Sequence, residues 1–291
     1  MKTFLVIGCF IAACLLVAGC TDQGAAVEDG ADAAQKTVVL VSTPYDTELS
    51  SANVLKHVFE QAGYDLEIKI VDVGLAFQAV ADGSVDCFVG AWLPTCHGNY
   101  LASYEDRMEF VRVNMEGTLC GLVVPSYVTI DSIEDLNAAK DQFDGEIIGI
   151  EPGAGIMKGT EDAIEVYGLE YTLLTGSEAS MLASLKAAID DEKWVVVTGW
   201  SPHWKFVRWD LTYLDDPENI YGGEEYISTY TRTGFKEDMP EAYAILERFT
   251  WNASDMESIM LAIEEGMSEE DAARQWVDAH PEQVAEWLGE A

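Results

Sequence analysis

The sequence predicts an α/β protein of two lobes, joined by two crossings of the chain, with a ligand cleft between them. Three observations favour this fold. Strand-like and helix-like segments alternate in two separate blocks, as they do where helices cover parallel sheets. A passage of two predicted strands, residues 110–113 and 118–124, connects the blocks. Finally, a strand-like segment at residues 228–233 precedes a helical C-terminal part, which indicates a return to the first block.

In the first block, residues 37–42 have the pattern of a buried strand and residues 51–62 that of a helix ended by Gly63. Residues 66–73, 75–81 and 85–92 follow as strand, short helix and buried strand. In the second block, strand, helix, strand, helix and strand are predicted in turn over residues 146–150, 156–167, 171–174, 178–189 and 194–198. We therefore expect residues 37–124 with 226–291 to form one lobe and residues 125–225 the other.

The C-terminal part is predicted to be helical. Ser254 and Glu257 form the pattern of a capping box that opens a helix over residues 259–263. Two further amphipathic helices are expected over residues 268–277 and 281–288.

The N-terminal residues predict export. Lys2 precedes an uncharged apolar run over residues 3–18, which is shorter than the roughly 20 residues of a membrane span and is typical of a signal peptide. Val17-Ala18-Gly19-Cys20 resembles a bacterial lipobox, so we expect a signal peptide over residues 1–19 and lipidation of Cys20. Residues 20–36 would be a flexible tether to the outer face of the cell membrane. A plain signal peptide with an incidental cysteine is the alternative.

The charge balance excludes one class of partner. The chain has 52 acidic and 16 basic residues and a net charge of −36, so nucleic acid, which needs basic patches, is not an expected ligand. Such a negative field is tolerable where salt screens it, and we hypothesise a source organism that lives in high salt. An acidic secreted protein from ordinary salt is the alternative.

Three cysteines, Cys87, Cys96 and Cys120, would remain after export. This odd number permits at most one disulfide, and the sequence does not say which pair would form it. Their spacing fits no metal motif, so no metal or cofactor is predicted. A formal glycosylation sequon at Asn252 carries little weight.

Three segments are candidates for ligand binding. Residues 90–97 (GAWLPTCH) and 199–204 (GWSPHW) each place a tryptophan at the end of a buried strand, followed by proline. Ligands of open α/β sheets bind outside the carboxyl ends of strands. Residues 149–157 (GIEPGAGIM) form a glycine-rich turn before a helix, where free backbone N–H groups can bind an anion. Each segment alone fits core packing or an ordinary turn, but together they indicate a ligand with a cation at one end and an anion at the other.

These segments resemble the glycine-betaine-binding proteins of ABC importers, and so do residues 213–217 (YLDDP) and 235–240 (FKEDMP). The resemblance covers about residues 38–288. It implies a fold like that of the type II periplasmic binding proteins and a substrate-binding protein, not an enzyme. It also implies that the chain acts as a monomer and delivers glycine betaine to a membrane permease driven by an ATPase.

The resemblance also implies the site residues. Trp92, Trp200 and Tyr45 would form an aromatic box for the trimethylammonium group. Tyr45 stands where many relatives have tryptophan, but it too offers a π face. The backbone N–H groups of Gly155 and Ile156, with the side chain of His97, would bind the carboxylate. Cys96 is a second departure, since a small polar residue is expected at its position.

Other functions remain open from the sequence. Carnitine, proline betaine or choline are alternative ligands, and choline would leave the Gly155 turn unused. A chemosensory receptor partner is a further alternative. An enzyme that uses His203, His97 and Cys96 is disfavoured, because no Ser-His-Asp or Cys-His spacing supports it.

Overall fold

The structure, a computed structural model, describes residues 36–290. The predicted signal peptide, Cys20 and all but the last residue of the predicted tether lie outside this range. Between residues 36 and 290, no helix has the length and apolar character that crossing a membrane requires.

Nine strands are present in the described part of the chain. They are β1 (Lys36–Ser42), β2 (Tyr64–Ile70), β3 (Cys87–Leu93), β4 (Met108–Pro125), β5 (Glu146–Ile148), β6 (Thr172–Leu174), β7 (Val197–Ser201), β8 (Leu211–Tyr213) and β9 (Glu225–Arg232). Their order is β2-β1-β3-β9-β4-β7-β5-β6, with β8 beside β4. The predicted two-lobe α/β fold is confirmed.

Strand β4 connects two sheets. Its residues 108–118 pair with β9 in the first sheet, which also contains β3, β1 and β2. Its residues 119–125 pair with β7 and β8 in the second sheet, which also contains β5 and β6. The pairs β1–β2, β1–β3, β5–β6 and β5–β7 are parallel, as predicted, whereas every pair that involves β4 or β9 is antiparallel.

The prediction of two separate strands before residue 125 was wrong. β4 is continuous, but its register against β9 shifts at three places, and Gly117 has a φ of 77°. These irregularities interrupt the alternation of apolar and polar residues from which strands are read.

Eleven α-helices are present within residues 36–290, with short 3-10 helices at Glu105–Arg107 and Ile133–Phe143. They are α1 (Asp46–Gln61), α2 (Val73–Ala81), α3 (Gly98–Tyr104), α4 (Gly155–Val166), α5 (Glu178–Asp190), α6 (Trp204–Arg208), α7 (Phe235–Asp238), α8 (Pro240–Arg248), α9 (Ala253–Glu264), α10 (Glu269–Ala279) and α11 (Pro281–Leu288).

Helix α1 begins five residues before the predicted start at residue 51. Its first turn is polar but buried, with Thr47 and Glu48 almost inaccessible to solvent. The apolar periodicity that marks the helix in the sequence therefore starts only after this turn. Since the first turn carries buried polar groups beside the end of β1, it supplies side chains to the site described below.

The C-terminal helices cover the first sheet together with α1, which contacts α9 and α10. The N-cap of α9 is Asn252 and not the predicted Ser254, because the Asn252 side chain accepts a hydrogen bond from the backbone N–H of Asp255. Asn is as favourable as Ser at an N-cap, and here it precedes Ser254 by two residues. The predicted helices at residues 268–277 and 281–288 are confirmed.

Candidate functional site

All six residues predicted for the ligand site line one cavity. Its interior space is about 330 Å³, including the part open to solvent, which is at the lower end of the range for small-molecule pockets. The cavity lies where the carboxyl ends of β1 and β3, the end of β7 and the N-terminus of α4 meet. The six residues are Tyr45, Trp92, His97, Gly155, Ile156 and Trp200.

Aromatic rings form one side of the cavity. The ring centroids of Tyr45 and Trp200 are 5.7 Å apart in an edge-to-face arrangement. Trp92 lines the same cavity, and its indole N–H donates a 2.5 Å hydrogen bond to Glu48. All three side chains are at least nine-tenths buried. Rings held in this way present π faces to whatever occupies the cavity.

Glu48 fixes the orientation of Trp92, and sequence reasoning missed it. Its second carboxylate oxygen accepts a 2.6 Å hydrogen bond from the Thr47 hydroxyl. Burial raises the pKa of Glu48 to about 7, against the opposing effect of these hydrogen bonds. Gly90 gives the carboxylate its space, since a Cβ at that position would lie 2.5 Å from Cγ of Glu48.

The far side of the Trp200 ring is also occupied. Nζ of Lys205 lies 4.3 Å from the ring centroid and donates a 3.2 Å hydrogen bond to the Trp200 carbonyl. Lys205 is fully buried, and burial lowers its pKa well below the usual range for lysine. The buried amine is therefore within cation–π distance of the Trp200 ring.

Hydrogen-bond donors also line the cavity and form what we call its donor wall. Gly155 and Ile156 are the first residues of α4, whose N-cap, Ala154, makes no side-chain capping bond. Among residues 36–290, no hydrogen-bond acceptor is assigned to the backbone N–H of Gly155 or Ile156. The first N–H groups of a helix carry partial positive charge and lack partners within the helix. The site therefore has two donors suited to an anion.

His97 adds a third polar group with a defined tautomer. Its Nδ1 accepts a 3.1 Å hydrogen bond from the backbone N–H of Trp92, and its own backbone N–H donates to the Trp92 carbonyl. Burial lowers the pKa of His97 to about 3. The ring is therefore neutral at physiological pH and carries its proton on Nε2, so it can act as a hydrogen-bond donor through that atom.

Position 155 has no space for a side chain, so glycine is required there. A Cβ at this position would lie 1.7 Å from the carbonyl oxygen of Cys96 and 3.2 Å from the His97 ring. The anion turn therefore touches the segment that follows β3. Gly153, two residues earlier, has no atom within 4 Å of its hypothetical Cβ.

Further contacts join residues on the two sides of the cavity. The indole N–H of Trp204 donates to the carboxylate of Asp46 at 2.7 Å, and the Asp46 backbone N–H donates to Glu178 at 3.1 Å. The Tyr100 hydroxyl donates to the Gly153 carbonyl at 2.7 Å. These bonds therefore connect α1 and α3 with residues of the second sequence block, beside the cavity.

Two clusters of potential metal ligands lie near the site. In the first, His203 Nε2 and Glu178 form a 2.6 Å hydrogen bond, and Asp46 completes the cluster. Burial lowers the pKa of His203 and raises that of Glu178, so these groups satisfy each other by hydrogen bonding. The second cluster, Cys96, Cys120 and Glu225, includes two free thiols. Sequence reasoning singled out Cys96 but gave no sign that Cys120 and Glu225 would be beside it.

A small cavity between two α/β lobes, with aromatic faces opposite unpaired backbone donors, defines a substrate-binding protein. The chain matches the family described as the substrate binding domain of ABC-type glycine betaine transport system over residues 36–279. Because this match covers most of the sequence, the chain belongs to that family. Members of this class bind a substrate for transport and do not convert it, so the expectation that the chain is not an enzyme is confirmed.

Individual relatives agree with this assignment. Over 171 residues the chain is 43% identical to the glycine betaine/carnitine transport binding protein GbuC of Listeria monocytogenes, a match that spans 58% of this chain and 55% of that protein. The chain thus spans about half the length of this curated relative.

Solved structures are similar over a longer range. One of them is lactococcal OpuAC in its closed conformation with glycine betaine bound, which is 39% identical in sequence. The superposition has a TM-score of 0.84 and covers 87% of this chain and 100% of that one. A choline-binding protein of an ABC transporter, in complex with choline, is 26% identical, with a TM-score of 0.81 and coverage of 87% and 91%. The predicted fold, like that of the type II periplasmic binding proteins, is confirmed.

Proposed function

We propose that this protein captures glycine betaine, or a closely related carboxylate betaine, outside the cytoplasm and delivers it to an ABC importer. One observation carries the proposal. The same cavity is lined by three aromatic side chains and by two residues whose backbone N–H groups have no assigned partner. A betaine has a quaternary ammonium at one end and a carboxylate at the other, which matches this polarity.

The ammonium end fits the aromatic wall. A trimethylammonium group has no N–H, so hydrogen bonds cannot recognise it. Aromatic faces can, and each contributes about 0.5–2 kcal/mol. Tyr45, Trp92 and Trp200 would supply three such faces, and Glu48, which accepts from the Trp92 indole N–H, lines the same cavity.

The carboxylate end fits the donor wall. The N–H groups of Gly155 and Ile156 and Nε2–H of His97 would provide charge-assisted hydrogen bonds to the anion. Because His97 accepts at Nδ1 and is neutral, its contribution is a single directed donor. These donors would orient the ligand with its carboxylate toward His97 and α4 and its ammonium group toward the aromatic rings.

The ligand would bridge the lobes. We assign residues 37–124 and 226–291 to one lobe and residues 125–225 to the other, with the connection through β4 as the first crossing and the segment before β9 as the second. A ligand that contacts residues of both lobes favours the closed form, which would dock as a monomer on a permease driven by an ATPase. Lipidation of Cys20 would keep the protein at the outer face of the membrane. A test is lipid incorporation that is lost in Cys20→Ala.

The decisive experiment is calorimetric titration of residues 35–291, which form one compact unit, in low and in molar salt. The ligands are glycine betaine, proline betaine, carnitine and choline. We expect saturable one-to-one binding of the betaines and weak binding of choline. Failure of a folded protein to bind any of them would refute the proposed ligand class.

Choline is the second candidate. Glu48 favours it, because a buried carboxylate beside Trp92 can stabilise a ligand that is purely cationic. The similar choline-binding structure is consistent with this alternative. Choline has no carboxylate, so it would leave the donors of Gly155 and Ile156 unpaired. Choline binding as tight as that of glycine betaine would therefore assign the cavity to quaternary amines in general.

A further inference from the structure

A cluster of two thiols and a carboxylate lies beside the ligand cavity. The Sγ atoms of Cys96 and Cys120 and a carboxylate oxygen of Glu225 are all within 4.8 Å of one another. Cys96 follows β3, Cys120 is in β4 and Glu225 begins β9, so three separate parts of the chain meet here. Both cysteines also line the ligand cavity.

Glu225 is unusual within this cluster. It is only 2% exposed. One of its oxygens accepts hydrogen bonds from the backbone N–H groups of Thr95 and Cys96, at 2.6 and 3.0 Å. The other oxygen has no hydrogen-bond partner among the described residues. A buried, unpaired carboxylate oxygen is costly, and a proton, a thiol donor such as Cys120 or a cation would lower that cost.

A second cavity gives solvent access to the cluster. It has an interior space of about 570 Å³, including its open part, and is lined by Cys96 and Cys120 together with residues of α4 and Tyr221. The thiols therefore form part of the wall between this cavity and the ligand cavity. Gly155 and Ile156 line both cavities as well, so the cluster adjoins the proposed carboxylate donors.

We propose that Cys96, Cys120 and Glu225 bind a thiophilic divalent cation of the Zn²⁺ class. Around a tetrahedral Zn²⁺, sulfur and oxygen ligands lie roughly 3.6–3.8 Å from one another, given Zn–S and Zn–O distances of about 2.3 and 2.1 Å. The donor atoms would thus need to approach by about 1 Å. Each thiol loses its proton when its sulfur binds the ion, and solvent in the second cavity takes the fourth position.

A disulfide between the thiols is the competing outcome. It would form one S–S bond with loss of two protons and two electrons to an oxidant such as a small-molecule disulfide. It would leave the second oxygen of Glu225 without a partner, whereas a cation would satisfy it. The unpaired oxygen of Glu225 therefore favours a bound ion over a disulfide. The three ligands of the ion are not the residues proposed to bind the betaine, so Zn²⁺ binding can be measured with no betaine present.

The test is titration of the purified, reduced protein with Zn²⁺, followed by calorimetry in two buffers that differ in protonation enthalpy. We expect one ion per chain and release of protons from the thiols. Titration with Cd²⁺ should add sulfur-to-metal charge-transfer absorbance, which carboxylates on the acidic surface would not give. Cys96→Ser and Cys120→Ser should each weaken binding at least tenfold, and Glu225→Gln should weaken it while the Gln oxygen still accepts from Thr95.

The matched control is Cys87→Ala, which removes a fully buried thiol outside the cluster and should leave Zn²⁺ binding unchanged. Circular dichroism establishes that each variant is folded. Three results would overturn the proposal: unchanged Zn²⁺ binding by the Cys96→Ser/Cys120→Ser double variant, no charge-transfer band with Cd²⁺, or a Cys96–Cys120 disulfide in protein purified without reductant.

Discussion

Adding one methyl group at Gly155 should abolish ligand binding while the fold persists. In Gly155→Ala the new Cβ would lie 1.7 Å from the Cys96 carbonyl oxygen, so the turn and the segment after β3 would have to separate by more than about 1 Å. That separation moves the N–H groups of Gly155 and Ile156 away from the carboxylate. A methyl group elsewhere in the same turn should have no such effect.

The size of the loss follows from the two hydrogen bonds. A hydrogen bond to a charged group contributes about 1.5–3 kcal/mol, so losing both costs about 3–6 kcal/mol. At about 1.4 kcal/mol per factor of ten, affinity should fall by roughly two to four powers of ten. Calorimetric titration with glycine betaine measures this loss directly.

Gly153→Ala is the matched control, because its Cβ would meet no atom within 4 Å. It should bind within about twofold of the parent, since unconstrained surface substitutions change stability by less than about 0.5 kcal/mol. Binding by Gly155→Ala within threefold of the parent would refute the assignment of this turn to the carboxylate.

Four further outcomes are expected. Trp200→Ala should abolish betaine binding, because it removes one aromatic face and uncovers the amine of Lys205 behind it. Tyr45→Trp should preserve or tighten binding, since indole is the stronger π face. Affinity for glycine betaine should rise from about pH 6 to about pH 8: the pKa of Glu48 is about 7, and its ionised form attracts the ammonium group. The midpoint of thermal unfolding should rise between low and molar salt, because salt screens the net charge of −36.

Each outcome has a direct check. A Trp200→Ala protein that binds like its parent in calorimetry means the aromatic wall is assigned wrongly. A large loss in Tyr45→Trp that is repeated in Tyr45→Phe would assign the role of Tyr45 to its hydroxyl, whose pKa is raised by burial and by the nearby Glu151 carboxylate. The pH dependence should become smaller in Glu48→Gln, and the remainder should come from Lys205, whose pKa burial lowers to about 7. A midpoint that stays constant with salt in scanning calorimetry would contradict the high-salt hypothesis.

The raised pKa of Glu48 also makes the free energy of unfolding depend on pH. Its pKa is raised in the folded state, from an ordinary value of 4.5 to about 7. The folded protein therefore binds more protons than the unfolded chain between these values. Its free energy of unfolding should thus decrease as pH rises through this window. Glu48→Gln would remove that contribution.

The wall residues were predictable because each one lies in a short local pattern. Trp92 and Trp200 end buried strands, and Gly155 begins a helix after a glycine-rich turn. Residues whose role depends on distant partners were not predictable. In the sequence Glu48 has the pattern of an ordinary polar helix residue. Only the fold brings its carboxylate to the indole N–H of Trp92. Likewise, a lysine is normally expected at the surface, but Lys205 is fully buried beside the ring of Trp200.

Closure of the cleft is balanced between opposing terms. The bonds Trp204–Asp46, Asp46–Glu178 and Tyr100–Gly153 favour the closed form, each by about 0.5–1.5 kcal/mol net. Burial opposes them, since it raises the pKa of both Asp46 and Glu178 and so disfavours their charged forms.

In the proposed two-lobe arrangement we expect the ligand to decide between the open and the closed state. A shift from mostly open to mostly closed requires about 10⁴-fold tighter binding to the closed form. Only a ligand that contacts both proposed lobes at once can supply this difference. An ammonium group already does so, because Tyr45 and Trp92 lie in one proposed lobe and Trp200 in the other. The carboxylate of a betaine adds a second bridge, between His97 of the first lobe and the α4 donors of the second.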